Sequence, residues 1–251
     1  MEAWGLTDLG NVRKQNQDFY EIVPLDRQRM LLVVCDGMGG AKSGNVASRL
    51  AAEVFVGEIR RMAPTDMDAP EIEKILRDAV ELANTAVFEQ SKVSTDFEGM
   101  GTTLVAAFLL PQMAVIANVG DSRLYLIHGS LIHQVTRDHS YVEEMVAIGQ
   151  MRRGSEDYNR RKNIITRALG IGREVEPDFF EVSLNPGDYV LLCSDGLTNM
   201  VDNSAIYRMV LLPGTLDTKA RALTALANQN GGKDNIAVIL IDPQIKEVRE
   251  S

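Results

Sequence analysis

Four aspartates in this sequence stand where an apolar run meets a glycine or a polar turn. Asp36 closes the run Leu31 to Cys35 and is followed by Gly37-Met38-Gly39-Gly40. Asp195 ends the strand Tyr189 to Cys193 and is followed by Gly196. Asp234 lies in Gly231-Gly232-Lys233-Asp234-Asn235, ahead of the run Ile236 to Ile241, and Asp18 follows Asn16-Gln17 ahead of Tyr20 to Val23. A strand holds such a carboxylate rigidly, and a neighbouring glycine leaves room for a ligand to approach the backbone. Taken singly, Asp-Gly is an ordinary turn, with Asp bonding its own backbone and Gly supplying positive φ. Taken as a group, the carboxylates imply cations, because adjacent carboxylates do not stay ionised without positive charge between them. A set of oxygen ligands suits Mg²⁺ or Mn²⁺.

The other chemical options are thinly supplied. The three histidines, His128, His133 and His139, form no zinc-binding pair, and Cys35 and Cys193 lack zinc spacing. No Gly-x-Ser-x-Gly, Walker sequence or dinucleotide fingerprint occurs. Arg13, in Gly10-Asn11-Val12-Arg13, is placed to grip a phosphate beside the carboxylates.

Several elements must position these residues. Strand patterns fall at Ala3 to Asp8, Tyr20 to Val23 and Met30 to Cys35, the last apolar throughout as a doubly covered strand would be. A helix follows, with Val46, Leu50 and Val54 sharing a face with Ala47, Ala51, Phe55 and Ile59. A second runs from about Pro70 to Ser91, opened by a capping box from Asp68 to Glu71. Thr103 to Leu110, Met113 to Val119, Arg123 to His128 and Leu131 to Val135 read as one antiparallel meander with short turns. Ser140 and Glu143 cap a short helix, and the arginine-rich Gln150 to Asn163 reads as an exposed flap. Strands at Phe179 to Leu184 and Asp188 to Cys193, helices at Asn203 to Leu212 and Leu216 to Gln229, and a closing strand at Ile236 to Ile241 complete the pattern. Paired helices between groups of antiparallel strands predict an α+β fold: two sheets packed face to face with helix pairs outside.

The chain has 251 residues, enough for one large domain. Its net charge of −9 and the lack of an aromatic stacking set argue against nucleic acid as a partner. Two cysteines fit a reducing compartment, and neither a signal peptide nor a membrane span is visible, so the expectation is a cytoplasmic protein.

The motifs together resemble the PPM (type 2C) protein phosphatases in their compact bacterial form. The resemblance rests on Gly10-Asn11-Val12-Arg13 with Asn16-Gln17-Asp18, Val34-Cys35-Asp36-Gly37-Met38-Gly39-Gly40, Gly101-Thr102-Thr103 and Asn118-Val119-Gly120-Asp121-Ser122-Arg123. It continues through Asp138-His139-Ser140, Ile165-Thr166-Arg167-Ala168-Leu169-Gly170, Cys193-Ser194-Asp195-Gly196-Leu197 and Gly232-Lys233-Asp234-Asn235, in family order along nearly the whole chain.

The resemblance implies a four-layer α/β/β/α sandwich spanning residues 1–251, with a flap over residues 138–166 that shapes the substrate entrance. It implies hydrolysis of phosphoserine and phosphothreonine in proteins, without a phospho-enzyme, by a water activated between Mn²⁺ or Mg²⁺ ions. Asp36 is expected to bridge two metals, Asp195 and Asp234 to complete one, and the Gly37 carbonyl with nearby Asp18 to serve the other. Asp121 with Asp195 resembles a third metal site, and Arg13 is expected to hold the substrate phosphate. Partners implied are phosphoproteins and a serine/threonine kinase, with the chain a monomer.

Two departures stand out. Met38 and Ala41 occupy the two places where relatives supply a histidine acid, and Gln17 replaces an acid found in eukaryotic relatives. The competing readings are an inert regulatory module of the same fold and a metal phosphoesterase acting on small molecules.

Overall fold

The computed structural model describes residues 1–40, 43–62 and 67–243. Ala41 therefore lies outside the described residues. The chain opens with strands β1 (Glu2–Asp8), β2 (Asp18–Pro24) and β3 (Met30–Met38), then helices α1 (Gly44–Met62) and α2 (Ala69–Gln90). Strands β4 (Gly101–Thr102), β5 (Leu104–Leu110), β6 (Met113–Val119), β7 (Arg123–His128) and β8 (Leu131–Gln134) follow. The flap carries α3 (Tyr141–Ala147) and α4 (Glu156–Arg161). Then come β9 (Asp178–Ser183), β10 (Tyr189–Cys193), the helical turn α5 (Asp195–Thr198), α6 (Asn203–Leu211), α7 (Leu216–Gln229) and β11 (Ile236–Asp242).

The strands form two antiparallel sheets, ordered β1-β11-β10-β7-β8 and β2-β3-β5-β6-β9, with β4 alongside β3. Three apolar layers hold the sandwich together. Leu32, Val34, Val105 and Ala107 meet Val190, Leu192, Ile239 and Ile241 between the sheets. Leu31, Val33 and Cys35, on the opposite face of β3, pack beneath Ala51, Phe55, Leu76 and Val80 of α1 and α2. Leu191, Val238 and Leu240 do the same beneath Ile206, Val210, Leu223 and Ala227 of α6 and α7. Each fully buried Val, Leu, Ile or Phe among them contributes roughly 1.5–3 kcal/mol relative to exposure. The doubly covered β3 and the four-layer α/β/β/α architecture are as the sequence predicts. The capping box is present too: Asp68 accepts from the Glu71 N–H and Glu71 from the Asp68 N–H.

Three expectations need correction. The four central strands are not one meander. β5 and β6 form a hairpin in one sheet, whereas β7 and β8 belong to the other. The join Gly120-Asp121-Ser122 carries the chain across, through Gly120 at φ +105°, where a Cβ would stand 2.6 Å from the Thr103 side chain. The edge of β6 that a hairpin would use is taken by β9. Next, Asp36 does not end its strand: β3 continues to Met38, pairing Gly37 with Thr102 and Met38 with Gly101 of β4. Finally, Asp195 does not end a strand: β10 stops at Cys193, and Asp195 opens the helical turn α5.

Candidate active site at the rim of the two sheets

Antiparallel pairing gathers alternate strand ends at one rim. The C-terminal ends of β3, β6 and β10 lie beside the N-terminal ends of β2, β5, β7 and β11. Asp36, Asp18, Asp121, Asp195 and Asp234 all sit at or just beyond these ends. Asp18 and Asp36 are direct cross-strand partners, so their side chains share one face of the sheet. Two like charges so placed are destabilising unless something positive joins them. Hydrogen bonds tie the two sheets together here: Ser194 Oγ donates to Asp18 Oδ2 (2.6 Å), and the Gln17 N–H donates to Asn235 Oδ1 (2.8 Å).

The glycines after the aspartates are there for close approach. Neither Gly37 nor Gly196 has a positive φ, so the ordinary turn reading fails at both. A Cβ on Gly196 would lie 1.9 Å from the Asn235 carbonyl oxygen, and one on Gly37 would lie 2.0 Å from that of Gly44. Any larger residue at 196 would push the Asp195 turn away from the segment carrying Asp234. The backbone of Asp36 is fixed as firmly. Its N–H donates to Thr103 Oγ1 (2.9 Å), its carbonyl accepts from Thr102 Oγ1 (2.9 Å), and the Thr103 hydroxyl meets that of Ser122, next to Asp121 (2.7 Å).

The electrostatics are those of crowded acids. Burial, then neighbouring carboxylates, push Asp18 up to about 7 and Asp121 up to about 8. Asp195 is pushed up to about 6, by burial and then by Asp234. Asp36 is raised well above the carboxylate range by burial and by Asp18, Asp195, Asp121 and Asp234. Asp18 Oδ1, Asp121 Oδ1 and Asp195 Oδ1 are buried and accept no hydrogen bond. Unsatisfied buried carboxylate oxygens are costly, and a hard divalent cation is the partner that would satisfy them. The donor set therefore fits Mg²⁺ or Mn²⁺. The carboxylates are gathered but not converged: among the described residues, no three Asp, Glu, His or Cys side chains already surround one point. One oxygen of Asp18 is held by Ser194, one of Asp195 by Asn199 (2.8 Å), and one of Asp234 by Arg13 (2.7 Å).

Arg13, Asp18, Asp36, Gly37, Asp121, Asp195 and Asp234 all lie at this rim. Arg13 is half exposed, at 51%, and commits one guanidinium nitrogen to Asp234. Gln17 donates its side-chain amide to the Gly40 carbonyl (3.3 Å). A cavity of about 170 Å³ opens between the rim and the flap, lined by Asp121, Asp195 and Asn199 on one side and Tyr158 and Lys162 on the other. A larger one, about 840 Å³, lies around Arg27, Arg29 and Pro111 at the far end of β2 and β3, and none of the rim aspartates lines it.

Sequence reasoning did not find Ser194, Asn199, Thr102, Thr103 and Ser122 as individual contributors. Ser194, Thr102 and Thr103 bond Asp18 or Asp36 across long sequence separations, Ser122 acts through Thr103, and Asn199 bonds Asp195 four residues away; only their adjacency to those motifs marks them.

Each histidine sits in contacts of its own or in a strand. His128 pairs with Asp188 and His133 lies in β8. His139 is buried with both ring nitrogens engaged: Nδ1 accepts from the Gly120 N–H (3.2 Å) and Nε2 lies 3.1 Å from Asp178 Oδ2. Burial holds it below the usual imidazole range. Replacing each histidine singly with alanine is expected to leave kcat on a phosphoserine peptide within about tenfold of wild type, since a true general acid contributes roughly 10²–10⁴. A hundredfold loss in a folded variant, rescued by a substrate with a better leaving group, would identify a histidine acid instead.

Comparison with known proteins shows the class to which this α/β/β/α sandwich belongs. A family model described as "Protein phosphatase 2C" matches residues 11–238. The chain belongs to the protein phosphatase 2C family. It is 38% identical over 247 residues to the serine/threonine phosphatase stp of Listeria monocytogenes, covering 98% of each chain. It is 37% identical over 242 residues to the protein phosphatase PhpP of Streptococcus pneumoniae, covering 96% of this chain and 97% of the relative. Among solved structures, the serine/threonine phosphatase Stp1 of Staphylococcus aureus superposes with a TM-score of 0.88 at 37% identity, over 96% of this chain and 95% of that one. No helix among the described residues is long and apolar enough to cross a membrane.

Proposed function

We propose that this chain removes phosphate from phosphoserine and phosphothreonine in proteins, using Mn²⁺ or Mg²⁺ held at the aspartate rim. The observation that carries this reading is the set of buried, unpartnered oxygens on Asp18, Asp121 and Asp195, gathered beside Asp36 and Asp234. Asp36, Asp195 and Asp234, with Asp18 and the Gly37 carbonyl, would hold the core ions, and Asp121 with Asp195 a further one. When bound, such cations acidify a water to a nucleophile near neutral pH and offset charge on phosphoryl oxygens.

The protein's own groups do the rest. Asp36 and Asp18 fix the site to one sheet, and Asp195 and Asp234 fix it to the other. Arg13, at the open edge, binds two phosphoryl oxygens through its planar fork. The flap, residues 138–166 of a single phosphatase domain, forms one wall of the entrance. Its root is held by backbone bonds from Thr166 N–H to the His139 carbonyl (2.9 Å) and from Tyr141 N–H to the Ile164 carbonyl (2.8 Å). Such an activity depends on a serine/threonine kinase to supply its substrates, and we take the chain to act as a monomer in the cytoplasm.

A panel of phosphoserine, phosphothreonine and phosphotyrosine peptides and small phosphate esters tests the reading. Preferred turnover of the first two supports it. Preference for the small esters would favour the small-molecule phosphoesterase, and no turnover with any metal would favour the inert module.

Arg13→Ala is expected to raise KM on a phosphopeptide more than it lowers kcat, because a phosphate grip acts in both ground and transition states. An unchanged KM would count against direct contact.

A further inference from the structure

Ser194 is the first choice of residue type for a helix N-cap, where its hydroxyl would accept a backbone N–H from the first turn. It stands at the N-cap of α5, yet makes no such bond. Its hydroxyl is used across the sandwich instead. Oγ accepts the Ala237 N–H (2.9 Å) and lies 2.6 Å from Asp18 Oδ2, 176 positions away in sequence. The Ser194 N–H in turn donates to the Ala237 carbonyl (3.1 Å), so the residue is pinned to β11 by two bonds. With Ala237 donating to Oγ, the hydroxyl proton points to Asp18. Ser194 is fully buried and Asp18 is 7% exposed, so water does not compete and the bond is stronger than at a surface. Asp18 is thus held by Oδ2 while Oδ1 stays buried and without a partner.

We propose that Ser194 is a positioning residue for the cation site: it fixes the Asp18 carboxylate from the opposite sheet so that Oδ1 faces the ion. This rests on the reading above that Asp18 serves a divalent cation. The sheet carrying Asp195 and Asp234 thereby sets the orientation of a ligand on the sheet carrying Asp36. With the Gln17–Asn235 bond, this hydroxyl registers the two halves of the site, and of the two bonds it is the one made directly to an aspartate. Groups in this relation to a metal ligand change metal affinity by about 10–100-fold when removed.

The test is Mn²⁺ titration calorimetry on the metal-stripped full chain, with thermal unfolding measured in parallel. Four proteins are compared: wild type, Ser194→Ala, Asp18→Ala and the double variant. Ser194→Ala is expected to weaken Mn²⁺ binding by about tenfold or more. The double variant is expected to bind no more weakly than Asp18→Ala alone. Wild-type affinity in Ser194→Ala would overturn the proposal. So would an equal loss when Asp18 is already absent, because Ser194 would then act through the sheets and not through Asp18. Ser194→Cys keeps the volume with a poor donor, and carries the same expectation if the alanine variant does not fold. A wild-type chain that takes up no Mn²⁺ would remove the cation site itself, a result distinct from either failure of Ser194.

Discussion

Asp36→Asn and Asp195→Asn are each expected to lower kcat on a phosphoserine peptide by at least about 10³-fold, on the scale of losing a principal electrostatic element. Asparagine keeps the shape of the side chain and removes its charge. Asp36 is the residue on which the cluster centres, since Asp18, Asp195, Asp121 and Asp234 all act on it. Asp195 is shared between the core of the rim and the cavity beside Asp121. The same substitution at Asp36 has an opposite effect on stability. An acid whose folded pKa is raised above its unfolded value destabilises the fold as pH rises past the unfolded pKa. Removing that charge should therefore raise Tm at neutral pH in chelator while activity is lost. Circular dichroism and steady-state kinetics on the same preparation check both. A tenfold loss of turnover or less would mean that the cations bind elsewhere.

Removal of divalent cations is expected to abolish turnover, and Mn²⁺ or Mg²⁺ to restore it. No described histidine or thiol stands among the rim aspartates to take over: His139 is engaged on both nitrogens, and Cys35 and Cys193 are buried with thiols pushed above their ordinary range by burial. Added cation should also stabilise the fold. One ion at 100 times its Kd contributes about 2.7 kcal/mol through mass action, a shift that thermal unfolding resolves. Full turnover in chelator, with metal content verified as nil, would falsify the oxygen-ligand reading.

Much of this was legible in the residues alone, for local reasons. The apolar run Leu31 to Cys35 could satisfy both faces of a strand only between two layers, and it lies between two layers. Gly231 and Gly232 stop the helical pattern Leu216 to Gln229, and the helix has those bounds. Cap chemistry acts within one turn, so Asp68 with Glu71 could be read directly. The aspartates were visible because each adjoined a recognisable strand.

Other features depended on partners far away in the chain. Gly120-Asp121-Ser122 looks like a hairpin turn, and only the occupation of the β6 edge by β9 sends β7 to the other sheet. Gly37 and Gly196 are read as leaving room for a ligand, but it is the protein's own backbone, at Gly44 and Asn235, that approaches them closely. Ser194 appears in the sequence only as the neighbour of Asp195, yet it bonds a carboxylate 176 positions away.

By itself, then, the sequence determined which residues could bind cations, which segments would be strands and helices, and that the helices would cover paired sheets. These follow from side-chain chemistry and from periodicities of two and 3.6 residues, which act over a few neighbours. Tertiary structure alone decided which strand ends share a rim, which oxygens stay unpartnered there, and which hydroxyls orient the aspartates. Those depend on sheet order and register, set by the burial of three apolar layers at once, and no short stretch of the chain contains that information.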